Sequence, residues 1–363
     1  NINANGGTYV AYLFAHNDSG DGEFGPDSDQ DIIKCGSYTG NGSSTGPTIN
    51  LGFEPQFLMV KRTDTSGRNW VVYDEMRGFF GTNSKELIWN TNDAEIYRGM
   101  LPTSTGFQPK TSSAHINASS GNYIYMAIRR GPLAAPTDAT NVFAIDTRSD
   151  ATSNPPSYSA NGIVDMALQK ELNASGWGLW DRLRGQYRLQ THATDAEDGP
   201  FSYANFDHMD GWGDIGATDT TVSWMWKRAP SYFDVVAYTG NNTSRSINHN
   251  LTVSPEMIWC KQRDGTREWF VFHKDLTSGN GLRLNSTTAE EGGPWESMTS
   301  TTFGINNGSD VNQNNTNFIA YLFATVAGVS KVGSYTGNGG SQTIDCGFSS
   351  GARFVLIKRT DAS

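Results

Sequence analysis

Short apolar runs alternate with turn-forming residues along most of the chain. The run Ile33–Thr39 ends at the Gly-Asn-Gly turn of residues 40–42, and Phe57–Arg62 ends at a polar loop that precedes Trp70. Glycine and asparagine tolerate the positive φ angles that tight turns require, and runs of this length suit strands. Over windows of about 15 residues no 3.6-residue period is sustained, so helices should be few and short. The pattern predicts an all-β protein built from small antiparallel sandwiches of jelly-roll type.

The same sequence motifs recur along the chain. The turn motif GSYTGNG occupies Gly36–Gly42 and Gly333–Gly339, and the variant AYTGNN occupies Ala237–Asn242. An apolar strand motif closes each copy and begins at Tyr9, Tyr123, Val222 and Phe318. Self-similarity at a period of roughly 100 residues indicates a repeat architecture. The sequence therefore predicts a tandem array of sandwiches.

The repeats divide the chain into whole copies and fragments. The predicted segments are the end of a preceding repeat (1–16), an acidic linker (17–31), repeat 1 (32–139), a degenerate repeat 2 (140–231), repeat 3 (232–328) and the start of a further repeat (329–363). Repeat 2 has lost the GSYTGNG text. Because a natural chain rarely starts and stops within a repeat, we expect an internal piece of a longer protein.

Tryptophan recurs at one position of each repeat, as Trp70, Trp177 and Trp269. Large rings supply much of the buried apolar area in a protein, and stacked repeats bury faces against their neighbours. We predict that these rings fill the core or the contacts between repeats rather than bind ligands.

Composition and charge exclude several classes of function. A net charge of −10 disfavours nucleic acid, which binds clustered lysine and arginine. No apolar run approaches about 18 residues, so no membrane insertion is predicted. Cys35, Cys260 and Cys346 occupy different positions within the repeat, whereas a disulfide framework or zinc site would repeat with it. We therefore predict three free thiols.

The linker is strongly acidic and has neither lysine nor arginine. Its spacing matches the first positions of a calcium loop, but a serine stands where a bidentate glutamate belongs, so later aspartates would have to substitute. The candidate calcium ligands are Asn17, Ser19, Asp21, Asp27 and Asp29. A solvated acidic linker fits the same residues. Calcium is the one cofactor that the sequence admits.

A catalytic site is not predicted. Glu95, Glu197 and Glu290 recur after alanine, but each repeat supplies only one such carboxylate. General acid–base cleavage of a glycoside uses two carboxylates on one bond. We predict a structural turn in which this glutamate accepts backbone N–H bonds.

The motifs GSYTGNG, GFEPQFLMVKRTD, GNYIYMAIRRGP and FIAYLFATVAGVSKVGSYTGNG, taken together, resemble a repeat family of unknown function found in virion proteins, of tail and fibre type, of marine tailed phages. The resemblance covers nearly the whole chain and is weakest across residues 152–213. It implies a concanavalin- or laminin-G-like β-sandwich and a structural or adhesion role. It supplies no established catalytic or binding residues.

From this resemblance we expect a virion structural or adhesion protein, such as a tail fibre, tail or capsid appendage, located in the virion or outside the cell. Its expected partners are other virion proteins, copies of itself and a host-surface glycan. The candidate ligand contacts are Asn41, Asn242 and Asn338 in the turn loops, and Trp295, a ring that could stack on sugars. A secreted or surface carbohydrate-binding module is the alternative, and a tailspike-type depolymerase is a third.

Overall fold

Regular secondary structure is nearly all strand in the parts of the chain that the computed structural model describes, which are residues 4–14, 16, 31–79, 84–131, 134–148, 155–173, 176–213 and 220–361. Within these ranges, helical structure is limited to a 3-10 turn at Ala139–Asn141 and one short helix, α1 (Ser309–Asn312). No helix in the described ranges has the length and apolar character to cross a membrane. The prediction of an all-β fold is confirmed.

Unit 1 is the first sandwich. Its strands are β1 (Ile33–Thr39), β2 (Ile49–Asn50), β3 (Pro55–Arg62), β4 (Trp70–Asp74), β5 (Lys85–Ile88), β6 (Ile96–Tyr97), β7 (Met100–Thr103), β8 (Gly106–Pro109) and β9 (Asn122–Arg129). A six-stranded sheet has the order β1-β9-β3-β4-β5-β6, and a three-stranded sheet has the order β2-β8-β7. The last strand therefore lies between the first and the third, with Tyr123 opposite Tyr38.

Unit 2 is smaller. Its strands are β10 (Phe143–Arg148), β11 (Tyr158–Ser159), β12 (Met166–Glu171), β13 (Trp177–Asp181), β14 (Gly211–Trp212) and β15 (Thr221–Trp226). The large sheet has the order β10-β15-β12-β13, and the small sheet, as far as its residues are described, pairs β11 with β14.

Unit 3 repeats the topology of unit 1. Its strands are β16 (Phe233–Thr239), β17 (Arg245–Asn248), β18 (Met257–Gln262), β19 (Phe270–His273), β20 (Asn280–Arg283), β21 (Glu291–Gly292), β22 (Trp295–Met298), β23 (Thr302–Ile305) and β24 (Asn317–Phe323). The six-stranded order is β16-β24-β18-β19-β20-β21, and the three-stranded order is β17-β23-β22. Every pairing in the three units is antiparallel where its register is resolved, as expected when turns rather than helices connect the strands.

Units 2 and 3 pack against each other through what we call the outer face, the side of a large sheet that points away from the small sheet of the same unit. Leu168 and Trp226 of unit 2 share one buried cluster with Trp259, Trp269 and Phe323 of unit 3. Successive side chains of a strand point to opposite faces, so the residues between them fill the core of each unit. Two sheets packed face to face bury a continuous apolar layer.

Hydrogen bonds cross the same interface. Nε1 of Trp269 donates to the carbonyl of Gln190 at 2.8 Å. The hydroxyl of Tyr321 donates to the carboxylate of Asp181 and accepts from Arg184 at 3.2 Å. Except for Gln190, these residues are buried. Because buried polar groups are costly unless paired, the bonds fix how the two sheets sit on each other.

Buried ion pairs join all three units. Arg228, in the link between units 2 and 3, donates to Glu54 of unit 1 at 2.7 Å and to Asp234 of unit 3 at 2.8 Å. Arg130, which follows unit 1, donates to Asp165 of unit 2. Removing one partner of a buried pair leaves an uncompensated charge, which is strongly destabilising. The junction therefore disfavours any separation of the units.

The recurring tryptophans lie at the start of the fourth strand of the large sheet: Trp70 begins β4, Trp177 begins β13, and Trp269 immediately precedes β19. The backbone N–H of each donates to a side chain at a matching position: Trp70 to Asn90, Trp177 to His192, and Trp269 to Asn285. Trp269 is fully buried between units 2 and 3, and the half-buried Trp177 packs against the same cluster. The prediction that these rings fill contacts between repeats is confirmed for these two; Trp70 is half-buried on the outer face of unit 1.

The cysteines are free. Cys35 is exposed, Cys260 is buried and Cys346 is half-buried, as the sequence predicted from their different positions in the repeat. Apolar burial and the buried ion pairs therefore hold the fold.

Candidate ligand-binding cleft

The turn asparagines serve the fold. Asn41 is exposed, but its amide accepts from the backbone N–H of Ser43 at 2.9 Å and donates to the carbonyl of Thr45 at 3.0 Å. Asn117, fully buried, receives the N–H of Asn41 at 2.9 Å, and Asn312 does the same for Asn241 at 3.0 Å in unit 3. This explains why the turn motif recurs: the turn is hydrogen-bonded to a buried asparagine and so closes one end of the sandwich.

The other two candidate asparagines also lie in turns. Asn242 is exposed with φ of 56°, and its N–H donates to the carbonyl of Asn312. Asn338 is exposed, and its side chain accepts from the N–H of Gly340 at 2.8 Å. The structure does not bring Asn41, Asn242 and Asn338 together with an aromatic ring.

Trp295, which the sequence suggested could stack on sugars, has little exposed surface for such a contact. Its ring is 4% exposed and lies inside unit 3, 6.1 Å from Phe270 and 5.9 Å from Phe272 between ring centroids. A large apolar ring gains more from burial than from contact with water, and the first residue of β22 points into the core.

The candidate calcium ligands Asn17, Ser19, Asp21, Asp27 and Asp29 lie outside the described residues. Among the residues that the structure does describe, no group of three or more His, Cys, Asp or Glu side chains is arranged to hold a metal ion.

The recurring glutamates have structural partners. Glu290 accepts from the backbone N–H of Thr277 at 2.7 Å, as predicted. Glu95 instead pairs with cationic side chains of its own unit. Glu197 forms two hydrogen bonds of 2.9 Å with Arg263, which belongs to unit 3, so this glutamate helps to join two units.

A cleft of about 190 Å³ opens between the two sheets of unit 2. The small sheet there has two strands in the described residues, whereas units 1 and 3 have three. It covers less of the large sheet, so Gln169 and Glu171 on the inner face of β12 remain accessible. The residues that line the cleft include Arg148, Tyr158, Gln169, Glu171, Trp177, Gly178, Trp180, Arg188, Gln190, Tyr203 and Trp212.

Aromatic rings form much of the cleft wall. Tyr158 stacks on Trp212 with ring centroids 5.4 Å apart, and Trp180 meets Tyr203 edge-on at 5.9 Å. Trp180 and Trp212 are buried, whereas Tyr203 is half-buried. These rings combine a large apolar face with a polar edge, and their mutual contacts keep them rigid.

Polar side chains lie among the rings. Nε2 of Gln169 donates to the hydroxyl of Tyr158 at 2.8 Å. Burial raises the pKa of Tyr158 above its ordinary value, so its hydroxyl stays neutral. Arg188 is held by two hydrogen bonds to Asp198, at 2.6 and 3.2 Å. Glu171 is exposed at the rim.

A donor beside the cleft has no partner in the described part of the chain. Nε1 of Trp180 is buried and makes no hydrogen bond there. Gly178 leaves the neighbouring space open, since a Cβ at this position would lie 3.0 Å from Nε1. An unpaired buried donor costs about 1–3 kcal/mol. An oxygen atom of a ligand in the cleft would satisfy it.

This combination of rigid rings with a few convergent polar groups is typical of a small-molecule site. A saccharide matches it chemically, because its C–H face fits aromatic rings and its hydroxyl groups both donate and accept hydrogen bonds. Sequence reasoning did not identify the cleft. The available signal was tryptophan close to glycine at residues 177–180 and 211–213, where a missing side chain leaves space beside the ring.

The chain was compared with known protein families and with curated proteins. Residues 1–132 and 196–363 match a domain of unknown function, DUF7483. The unmatched stretch between them contains most of the cleft residues, including Tyr158, Gln169, Trp180 and Arg188. No curated protein matches the chain. Since the matched residues make up most of its length, the chain belongs to the DUF7483 family.

Proposed function

We propose that this chain is an attachment protein of a tailed-phage virion, a tail, fibre or capsid-appendage segment that binds a host-surface saccharide through the cleft of unit 2. The observation that carries the proposal is the cleft itself, with its aromatic walls and the unpaired Nε1 of Trp180. The sequence resemblance to phage repeat proteins supports the virion context.

The joints between units support a mechanical role. Arg228 links three units through buried ion pairs, and units 2 and 3 share a buried apolar layer. A body joined in this way resists bending, because each joint would expose charged or apolar groups on opening. Such a body suits a virion appendage that must hold a binding site away from the particle.

The composition of the cleft supports binding rather than cleavage. Glu171 is the one carboxylate among its described lining residues. Glycoside hydrolysis of the usual kind uses a pair of carboxylates across the scissile bond. We therefore favour an attachment protein over a depolymerase.

Saccharide binding is tested on a glycan array with the purified chain and two variants. Tyr203→Ala removes a half-buried ring from the cleft, and Tyr97→Ala removes an exposed ring from unit 1 as a matched control. We expect a defined set of glycans to bind the wild type and Tyr97→Ala but not Tyr203→Ala. A wild type that binds no glycan would contradict the attachment role.

The virion context is tested separately by mass spectrometry of purified particles of the phage that encodes the chain. Peptides from the chain should be present at a stoichiometry matching a structural component. If glycans bind but particles lack the chain, the alternative of a secreted or surface carbohydrate-binding module is correct.

A further inference from the structure

The outer face of unit 1 has the same place in its sandwich as the face that unit 3 buries against unit 2, yet it is open. Leu87 lies opposite Val72 in unit 1, and Leu282 takes the matching position in unit 3. Leu87 is 38% exposed, whereas Leu282 is 6% exposed. Ile124 is 41% exposed, whereas its counterpart Ile319 is fully buried.

The same contrast holds in the centre of the face. Met59 and Met126 are opposite each other in unit 1 and are half-buried. Trp259 and Tyr321 form the matching pair in unit 3 and are 3% and 0% exposed. At the edge of the unit 1 face, Trp89 is 66% exposed. Contiguous apolar side chains on a sheet face indicate an interaction surface.

A lysine occupies the matching position on the outer faces of unit 1 and unit 3. Lys261 is fully buried in unit 3, and its ammonium donates to the carbonyl of Thr194 in unit 2 at 3.1 Å. Lys61, the counterpart in unit 1, donates to the carbonyl of Arg68 in its own loop. An ammonium has three donors, so Lys61 retains the capacity to reach a carbonyl across an interface as Lys261 does.

We propose that the outer face of unit 1 is a self-association surface, which packs against the same face of a second copy of the chain. Units 2 and 3 provide the precedent, because these two sandwiches of the chain bury the corresponding positions against each other, outer face to outer face. A two-fold dimer uses one patch on both partners, so a flat, mainly apolar face that already pairs with a sister face within the chain meets the requirement.

Sedimentation velocity over a concentration series tests this on the intact chain. The wild type should sediment as a dimer that dissociates on dilution. Ile124→Lys places a second positive charge on the face, opposite Lys61, and should shift the chain to monomer at every concentration. Met209→Lys, at a position of unit 2 that is 68% exposed, is the matched control and should leave the dimer intact.

At concentrations low enough for the wild type to be monomeric, the thermal unfolding temperature of both variants should stay close to that of the wild type, because both side chains are exposed in the monomer. A wild type that is monomeric throughout the series would overturn the proposal. A dimer that Ile124→Lys leaves intact would overturn it as well, since the contact would lie elsewhere.

Discussion

Units 2 and 3 both have an apolar outer face, but they differ in the space between the large and small sheets of the sandwich. In unit 3 a three-stranded sheet covers the inner face, and Trp295 fills the interior against Phe272. In the described residues of unit 2 the covering sheet has two strands, and the space beside Trp180, which matches Phe272 by register, is the cleft. Units 2 and 3 thus share the outer face through which they pack together, whereas the interior of the sandwich differs between them.

The largest expected effect concerns the joined surface. Trp269→Ala, at a fully buried position between units 2 and 3, should lower the free energy of unfolding by about 3–5 kcal/mol. Trp70→Ala, at the matching half-buried position of unit 1, should cost clearly less, because part of that ring is already in water. Urea denaturation at low protein concentration measures both. Equal losses would mean that the two outer faces do not differ in burial.

A smaller effect is expected where hydrogen bonds cross the interface. Tyr321→Phe removes the hydroxyl that bridges Asp181 and Arg184, and leaves that buried pair short of a partner. We expect a loss of about 1–3 kcal/mol. Tyr97→Phe, at an exposed position, should change little. If both variants unfold at the wild-type urea concentration, the bridge contributes nothing to stability.

The junction of the units should respond to pH. Burial raises the pKa of Glu75 to about 7 from an ordinary value of 4.5; Glu54 adds to the shift, and Arg130 and Arg228 oppose it. The folded state therefore holds a proton that the unfolded state has lost, and stability should rise as the pH falls from about 7 to about 4.5, by at most about 1.4 kcal/mol per pH unit. Melting curves of the wild type and Glu75→Gln measure this, and the variant should lack the rise.

At lower pH the sign reverses. Burial alone would raise the pKa of Asp165, but the guanidinium groups of Arg130, Arg182 and Arg228 hold it below its ordinary value of 3.8. Stability from this carboxylate is present above that value and is lost as the pH falls below it. Continued stabilisation at still lower pH would show that these pairs do not hold the junction.

The smallest expected change in free energy concerns ligand affinity at the cleft. Gly178→Ala adds a methyl group 3.0 Å from Nε1 of Trp180 and 3.3 Å from Cδ of Arg188. It should lower affinity for a bound saccharide at least about tenfold, which is about 1.4 kcal/mol, by closing the space before the indole N–H. Calorimetric titration with a glycan identified on the array measures this. Unchanged affinity would separate the cleft from the binding site.

Local features of the fold were predictable because they depend on local physics. Strands within the units follow from short apolar runs between glycine- and asparagine-rich turns. The motif around Asn41 and Asn241 recurs because it closes units 1 and 3 against a buried asparagine. The free thiols follow from the uneven positions of Cys35, Cys260 and Cys346 within the repeat.

The candidate site was not predictable in the same way. Trp295 stands near a Gly-Gly-Pro turn, which suggests exposure, but only the pairing of β22 with β23 decides which face its ring takes. The cleft joins Tyr158, Gln169, Trp180 and Trp212 from four strands, in the stretch where the repeat text is weakest. Neither spacing nor composition brings such residues together before the sheets have packed.

By itself, then, the sequence determined the turns and the repetition of one sandwich. Its apolar strand motifs form strands within the three units, whereas the same motifs at residues 9–14 and 354–359 are not strands, so backbone preference alone does not make a strand. The tertiary structure alone decided which outer faces meet, which tryptophan is buried and where unit 2 opens. Those outcomes depend on the burial of apolar area and on hydrogen bonds and ion pairs between segments far apart in the chain. These contacts contribute free energy only once the units have packed against each other.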